Sequence, residues 1–119
     1  MAISKPYSLK KSQLLRKNKN YQFVYRVGKS YANRMVVLYV LKNSSKSTRI
    51  GFVTGKRLGG AVVRNRVKRL FKEAYRLNQA KIAPGCDLVV IGRVPVVGQS
   101  QRLVTESLMN LCRKAKVLL

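Results

Sequence analysis

Residues 59–77 read Gly59-Gly60-Ala61-Val62-Val63-Arg64-Asn65-Arg66-Val67-Lys68-Arg69-Leu70-Phe71-Lys72-Glu73-Ala74-Tyr75-Arg76-Leu77. At about 100° per residue, Val63, Val67, Leu70, Phe71, Ala74 and Leu77 share one stripe roughly 120° wide. Asn65, Lys68, Arg69, Lys72 and Arg76 fall opposite, with Arg64 at the border. The spacing predicts a helix from about Gly60 to Leu77 with one apolar and one cationic face. Like charges recur at Arg64, Lys68, Lys72 and Arg76, and each repeat costs the helix a little stability. Only Glu73 answers them. Such a strip calls for an external polyanion.

The flanks decide the fold class. Upstream, Met35-Val36-Val37-Leu38-Tyr39-Val40-Leu41 is β-branched and aromatic and predicts a strand buried on both faces. Asn43 to Ser47 is a turn cluster, and Thr48 to Thr54 a second strand, so the pair predicts an antiparallel hairpin. Downstream, Ala83-Pro84-Gly85 breaks the chain and Asp87 to Gly92 predicts a third buried strand. From about Ser100 a last helix carries Val104, Leu108, Leu111, Ala115 and Leu118 on one stripe. Near the start, Asn18 or Asn20 caps a short helix that Gly28 stops, with Tyr21 and Tyr25 on one side and Val24 and Val27 offering core contacts. Residues 1–17 are polar and basic and predict an extended arm ahead of a single domain over 18–119. The order α-β-β-α-β-α makes a small α+β sandwich. The strand-helix-strand unit from Ile50 to Ile91 can form a parallel pair, for which a right-handed crossover is the general rule.

Charge narrows the partners. The chain has 26 Lys and Arg against 3 Asp and Glu, a formal charge of +23 over 119 residues. Residues 1–72 hold no acid at all. Self-repulsion of that size favours a nucleic acid or an anionic surface. One basic run is ordinarily a solvated face, but that reading leaves the whole chain's missing counter-charge unexplained. A hydrophobic fraction of 46% argues against a disordered basic tail. The apolar run from Met35 to Leu41 is too short to span a bilayer, and the N-terminus lacks a signal-peptide core, so a cytoplasmic location and no membrane partner are expected.

The chemistry available is narrow. No histidine is present, so a Ser-His-Asp or Cys-His arrangement is impossible. Glu73, Asp87 and Glu106 are far apart in sequence, whereas metal-dependent nucleases gather carboxylates. Gly55, Gly59 and Gly60 fit no phosphate-binding fingerprint. Cys86 and Cys112 lack metal-ligand spacing and read as reduced, partly buried thiols. No active site is expected in the protein alone. Binding equipment is plentiful: cationic side chains for phosphates, and Tyr21, Tyr25 and Tyr39 for stacking on unpaired bases or for packing the sheet. Stacking implies single-stranded or irregular RNA, and no DNA, as the target.

The stretch from Lys56 to Arg69, with Arg64-Asn65-Arg66 followed by Lys68-Arg69, closely resembles the signature of the bacterial ribonuclease P protein subunit. Lys17-Asn18 with Tyr21 and Tyr25 resembles that family's first helix, and Ala32-Asn33-Arg34 with the strand to Tyr39 also matches. Nearly the whole chain is covered. The resemblance implies an α+β fold whose β-α-β crossover is left-handed, against the general rule. It implies a ribonucleoprotein that removes the 5′ leader from precursor tRNA. A large RNA subunit is then the catalyst and binds magnesium ions, the holoenzyme's cofactor. It implies that Lys56, Arg57, Arg64, Asn65, Arg66, Lys68, Arg69 and Lys72 face the RNA subunit. Tyr21, Tyr25 and Tyr39, with Asn33 and Arg34, would hold the leader in a cleft between the sheet and the first helix. The family often has phenylalanine at the first two of these positions; tyrosine keeps the ring. Without the motif, a ribosomal or other structural RNA-binding protein fits the charge and size equally well. A protein-only nuclease is disfavoured by the missing base, and a cationic membrane peptide by the strand patterns.

Overall fold

The computed structural model of the protein describes residues 11–119. Three helices, α1 (Asn18–Val27), α2 (Ala61–Asn78) and α3 (Gln101–Lys114), surround a sheet of β1 (Lys29–Ala32), β2 (Val36–Lys42), β3 (Arg49–Val53) and β4 (Cys86–Gly92). The α+β class is as expected. The element order is α-β-β-β-α-β-α, one strand more than the sequence analysis found. The extra strand, β1, is four residues long, carries Lys29 and Ser30, and lies at the sheet edge, so its apolar signal is slight.

The sheet order is β1-β2-β4-β3. This corrects the expected β2–β3 hairpin. β4 lies between those strands, antiparallel to β2 (Leu38 opposite Val90) and parallel to β3 (Phe52 opposite Val90). The physical reason is burial. β4 is buried at its first five residues, Cys86 to Val90, and takes the inner place between β2 and β3; β2, the other inner strand, is fully buried only at Val36 and Leu38. The parallel pairing across α2 is as the sequence implied.

Alternation sends Val36, Leu38, Ile50, Phe52, Cys86, Leu88 and Val90 to one face, where they pack with Val67, Phe71, Ala74 and Tyr75 of α2 and Val104, Leu108 and Leu111 of α3. α2 is turned slightly from its expected stripe. Tyr75 is buried and its ring meets Phe52 edge to face at 6.5 Å, while Leu77 stays 49% exposed. Ser100 caps α3, its hydroxyl accepting from the Leu103 N–H at 3.2 Å. That helix stops at Lys114, short of the expected Leu118; Lys116 has φ 59°, and Leu118 bridges to Ile82. Neither asparagine caps α1; Lys17 stands at that position with no side-chain bond.

The other sheet face carries Tyr39, Leu41, Val53, Val89 and Ile91, covered in part by Leu15 and by Tyr21, Val24 and Tyr25 of α1. Of the expected arm, residues 1–10 lie outside the described residues. Residues 11–13 form a single 3-10 turn. Leu14 then bridges Ile50 at the β3 edge and Leu15 is buried, its N–H donating to the Ile50 carbonyl at 2.9 Å. Asp87 is buried at 5% exposure. It accepts from Arg49 Nε at 3.0 Å and Nη2 at 2.7 Å, and from Asn43 Nδ2 at 2.8 Å. That hydrogen-bonded pair holds the Arg49 guanidinium pKa above its ordinary value. A buried charge without partners would be costly; this one is paired on both oxygens.

Candidate RNA interface

The tyrosines form one cluster. Tyr25 meets Tyr39 edge to face with centroids 5.0 Å apart and planes at 70°. Tyr21 donates its hydroxyl to the Leu15 carbonyl at 3.1 Å. All three rings are half-buried. Each therefore packs on the sheet and keeps an accessible part. Burial raises the phenol pKa of Tyr21, and of Tyr25, where the neighbouring tyrosines add to it. Gly51 makes the seat. It pairs with Val89, which pairs with Tyr39, and a Cβ at Gly51 would come within 2.2 Å of the Tyr21 oxygen.

One sheet row runs Val37, Ile91, Val53, all half-buried and therefore part-open to solvent. Val53 and Ile91 also line a groove of about 390 Å³ with Gly55, Arg57, Leu58, Gly92, Arg93, Val94 and Pro95. Arg57 and Arg93 thus stand beside the tyrosine face. Arg93 Nη1 donates to the Asn33 carbonyl at 2.7 Å. Sequence reasoning missed Arg93. It is a lone cation, and its one signal is its place directly after the apolar run of β4.

Asn33 and Arg34 occupy the β1–β2 turn and differ sharply. Asn33 Oδ1 accepts from the N–H groups of Met35 at 3.1 Å and Val36 at 2.9 Å, while Nδ2 donates to the Ser107 carbonyl at 2.9 Å. Its side chain shapes the turn and ties it to α3. Arg34 is exposed.

The basic helix lies on the opposite sheet face from the tyrosines. Lys56 and Arg57 are exposed on a 3-10 turn, Lys56–Leu58, anchored by buried Leu58. Gly59, at φ 138°, turns the chain into α2 where an L side chain would be strained. Asn65, Arg66, Arg69 and Lys72 are exposed; Arg64 and Lys68 are half-buried. Arg64 Nε is buried with no acceptor among the described residues. Asn65 makes no side-chain hydrogen bond among the described residues. Arg66, Arg69, Lys72 and Arg76 line a groove of about 770 Å³ with Val62, Leu70, Glu73 and Gln101. Glu73 pairs with Arg76, whose Nε reaches it at 2.9 Å. The interface therefore has two parts on two faces, and the Lys56–Leu58 turn lies where they approach. A wider concavity of about 920 Å³ lies at the far end of the sheet, lined in part by Lys29, Lys42, Lys114 and Lys116.

The three carboxylates do not converge. Asp87 is held by Arg49, Glu73 by Arg76, and Glu106 stands 3.6 Å from Arg102. Among the described residues no group of three or more His, Cys, Asp or Glu is suited to a metal ion. Both thiols are free and buried, and burial pushes the Cys112 pKa up to about 12. No helix among the described residues is long and apolar enough to cross a membrane.

Known proteins share this fold over most of the chain. The family profile described as Ribonuclease P matches residues 9–116. The ribonuclease P protein component of Alkaliphilus metalliredigens is 40% identical over 104 residues, covering 87% of this chain and 94% of that protein. The Clostridium botulinum component is 44% identical over 108 residues, covering 90% and 97%. Among solved structures, the Staphylococcus aureus RNase P protein superposes with a TM-score of 0.84 at 33% identity, covering 92% of this chain and all of that one. The Thermotoga maritima RNase P protein gives 0.79 at 32% identity, covering 84% and 94%. On the match across almost its whole length, the chain belongs to the ribonuclease P protein family.

Proposed function

We propose that this chain is the protein half of a ribonuclease P holoenzyme in which a large RNA cuts the 5′ leader from precursor tRNA. The protein supplies no reacting group. It binds the leader and lowers the repulsion between RNA chains. The observation that supports this reading is a cationic helix face and a tyrosine-bearing face on opposite sides of one sheet. The α2 face is cationic and rigid, suited to the folded phosphate backbone of the RNA subunit. The α1 face combines tyrosine rings with the Arg57–Arg93 groove, suited to an unpaired strand whose bases stack while its phosphates meet guanidinium groups. One RNA on each face explains both.

On the α2 face, Lys56, Arg64, Asn65, Arg66, Lys68, Arg69 and Lys72 contact the RNA subunit. On the α1 face, Tyr21, Tyr25 and Tyr39 hold leader bases, with Arg34, Arg57 and Arg93 along its backbone. Asn33 contributes by fixing the turn that presents Arg34. Magnesium ions belong to the RNA, because every carboxylate of the protein stands beside an arginine and no two share a site. Cations placed along RNA phosphates reduce the magnesium needed to fill those sites. The cytoplasm, where precursor tRNA is made in bacteria, is the setting.

The test is reconstitution with the large RNA at low magnesium. Cleavage should need both components. Tyr25→Ala should lose preference for leader-bearing over mature tRNA, whereas Tyr25→Phe keeps it. Cleavage by the RNA-free protein, or sedimentation with ribosomal subunits in place of the large RNA, would overturn the proposal.

A further inference from the structure

Phe23 is 46% exposed on α1. It lies two residues from both Tyr21 and Tyr25, about 200° around the helix, and so faces away from the sheet. Single exposed apolar residues are ordinary and need no explanation. The surroundings set this one apart. The Arg26 guanidinium carbon lies 5.6 Å from the Phe23 ring centroid. Lys19, Asn20, Gln22, Phe23 and Arg26 line a shallow groove of about 520 Å³. No acidic residue occurs in the chain before Glu73. The groove therefore offers one π-face, a cation already stacked beside it, a second cation one helical turn away and two side-chain amides. A protein or peptide occupant has no use for so much unopposed charge. An unpaired nucleotide uses all of it: base on ring, phosphate at Lys19 or Arg26, base edge at Asn20 or Gln22.

We infer that Phe23 is a second stacking platform, which takes an unpaired leader base after the strand has left the tyrosine face and passed around α1. The inference rests on the leader reading above and extends it from one side of the helix to the other. Half the circumference of a helix about 11 Å across is roughly 17 Å, or about five stacked nucleotides at about 3.4 Å each. A leader that fills only the tyrosine face does not reach Phe23; one about five nucleotides longer does.

The experiment measures affinity of the reconstituted holoenzyme for precursor tRNA as the leader is lengthened one nucleotide at a time. The native protein should show two rises, the second about five nucleotides after the first. Phe23→Ala should abolish the second rise, a loss of roughly 5- to 140-fold for one base on one ring, and keep the first. Phe23→Trp should retain both. An abasic nucleotide at the position of the second rise should reproduce the Phe23→Ala loss in the native protein. A second rise that survives Phe23→Ala, or its absence from the native protein, overturns the platform. Tyr25→Ala separates this from the underlying reading. Loss of the first rise in Tyr25→Ala with an unaltered second rise in Phe23→Ala sinks the platform alone. A Phe23-dependent rise with none dependent on Tyr25 sinks the tyrosine cleft and leaves the platform.

Discussion

The Tyr21 hydroxyl sits so close over Gly51 that a Cβ added there would stand 2.2 Å from it. The central sheet row is thus cut away where α1 lies down on it. Gly51→Ala should lift Tyr21 from its seat and break its 3.1 Å bond to the Leu15 carbonyl. Overpacking of this kind costs about 1–3 kcal/mol. Urea denaturation should show that loss, and leader preference should fall with it. Tyr21→Ala in the same background should recover most of the stability and none of the preference. Full stability in Gly51→Ala would show that the seat is looser than the structure indicates.

Asn33 and Arg34 are neighbours with separable duties. Asn33→Ala removes three hydrogen bonds and should destabilise the fold by about 1–3 kcal/mol, lowering the melting temperature by several degrees. Below that transition its leader affinity should fall no further than that of Arg34→Ala, since the presentation of Arg34 is all that the change disturbs. Arg34→Ala should do the reverse: unchanged melting and weaker binding of leader-bearing tRNA. Equal thermal loss in both variants would contradict the division.

Alkali should unfold the protein by a defined route. Burial pushes the Tyr75 hydroxyl up from 10.0 to about 12, and the Cys112 thiol up from 9.0 to about 12. The unfolded chain deprotonates first, so stability is fully present below the unfolded values. It is lost as pH rises from about 9 towards 12. Each group contributes at most about 1.4 kcal/mol per pH unit within its window. Urea midpoints should be flat from neutral pH to about 8.5 and then fall. Cys112→Ala should make the early part of that fall shallower. An unaltered slope would remove Cys112 from the account.

Arg66 and Arg69 are exposed on α2 and make no ion pair among the described residues. Replacing both with alanine should leave helix content unchanged and weaken assembly with the large RNA. If each meets one phosphate, the slope of log affinity against log salt should shrink by about 1.4–1.8. A parallel shift without a change of slope would mean that neither touches a phosphate.

Helix α2 and the parallel β3–β4 unit were legible because both rest on local periodicity and on buried apolar runs. The β2–β3 pairing was not. Neighbours in sequence are the default partners, and nothing local reveals that Val89 and Val90 arrive later to separate them. β1 escaped notice because Lys29-Ser30-Tyr31-Ala32 gains its strand character from pairing with β2. The choice of Tyr75 over Leu77 for burial depends on Phe52, whose ring lies across the sandwich. At the interface, the tyrosines and the basic strip stood out by residue type and spacing. The structural use of Asn33 did not, since its Ser107 partner is 74 residues away. Arg93 was equally hidden, a single cation whose meaning comes from the groove it shares with Arg57.

β4, the inner strand that joins β2 to β3, is also the last of the four in chain order. During synthesis β2 and β3 exist for 32 residues, 54–85, without the partner that joins them, and β3 has only the short Leu14–Leu15 segment along its edge. The nascent chain over that interval gains many of its cations while it still lacks β4 and α3. A fragment ending at Gly85 should therefore lack the native far-ultraviolet dichroism spectrum, and one extended through α3 should show it. A positively charged polymer that cannot yet fold will adhere to whatever nucleic acid is nearest, so prompt completion of β4 guards this protein against binding the wrong RNA.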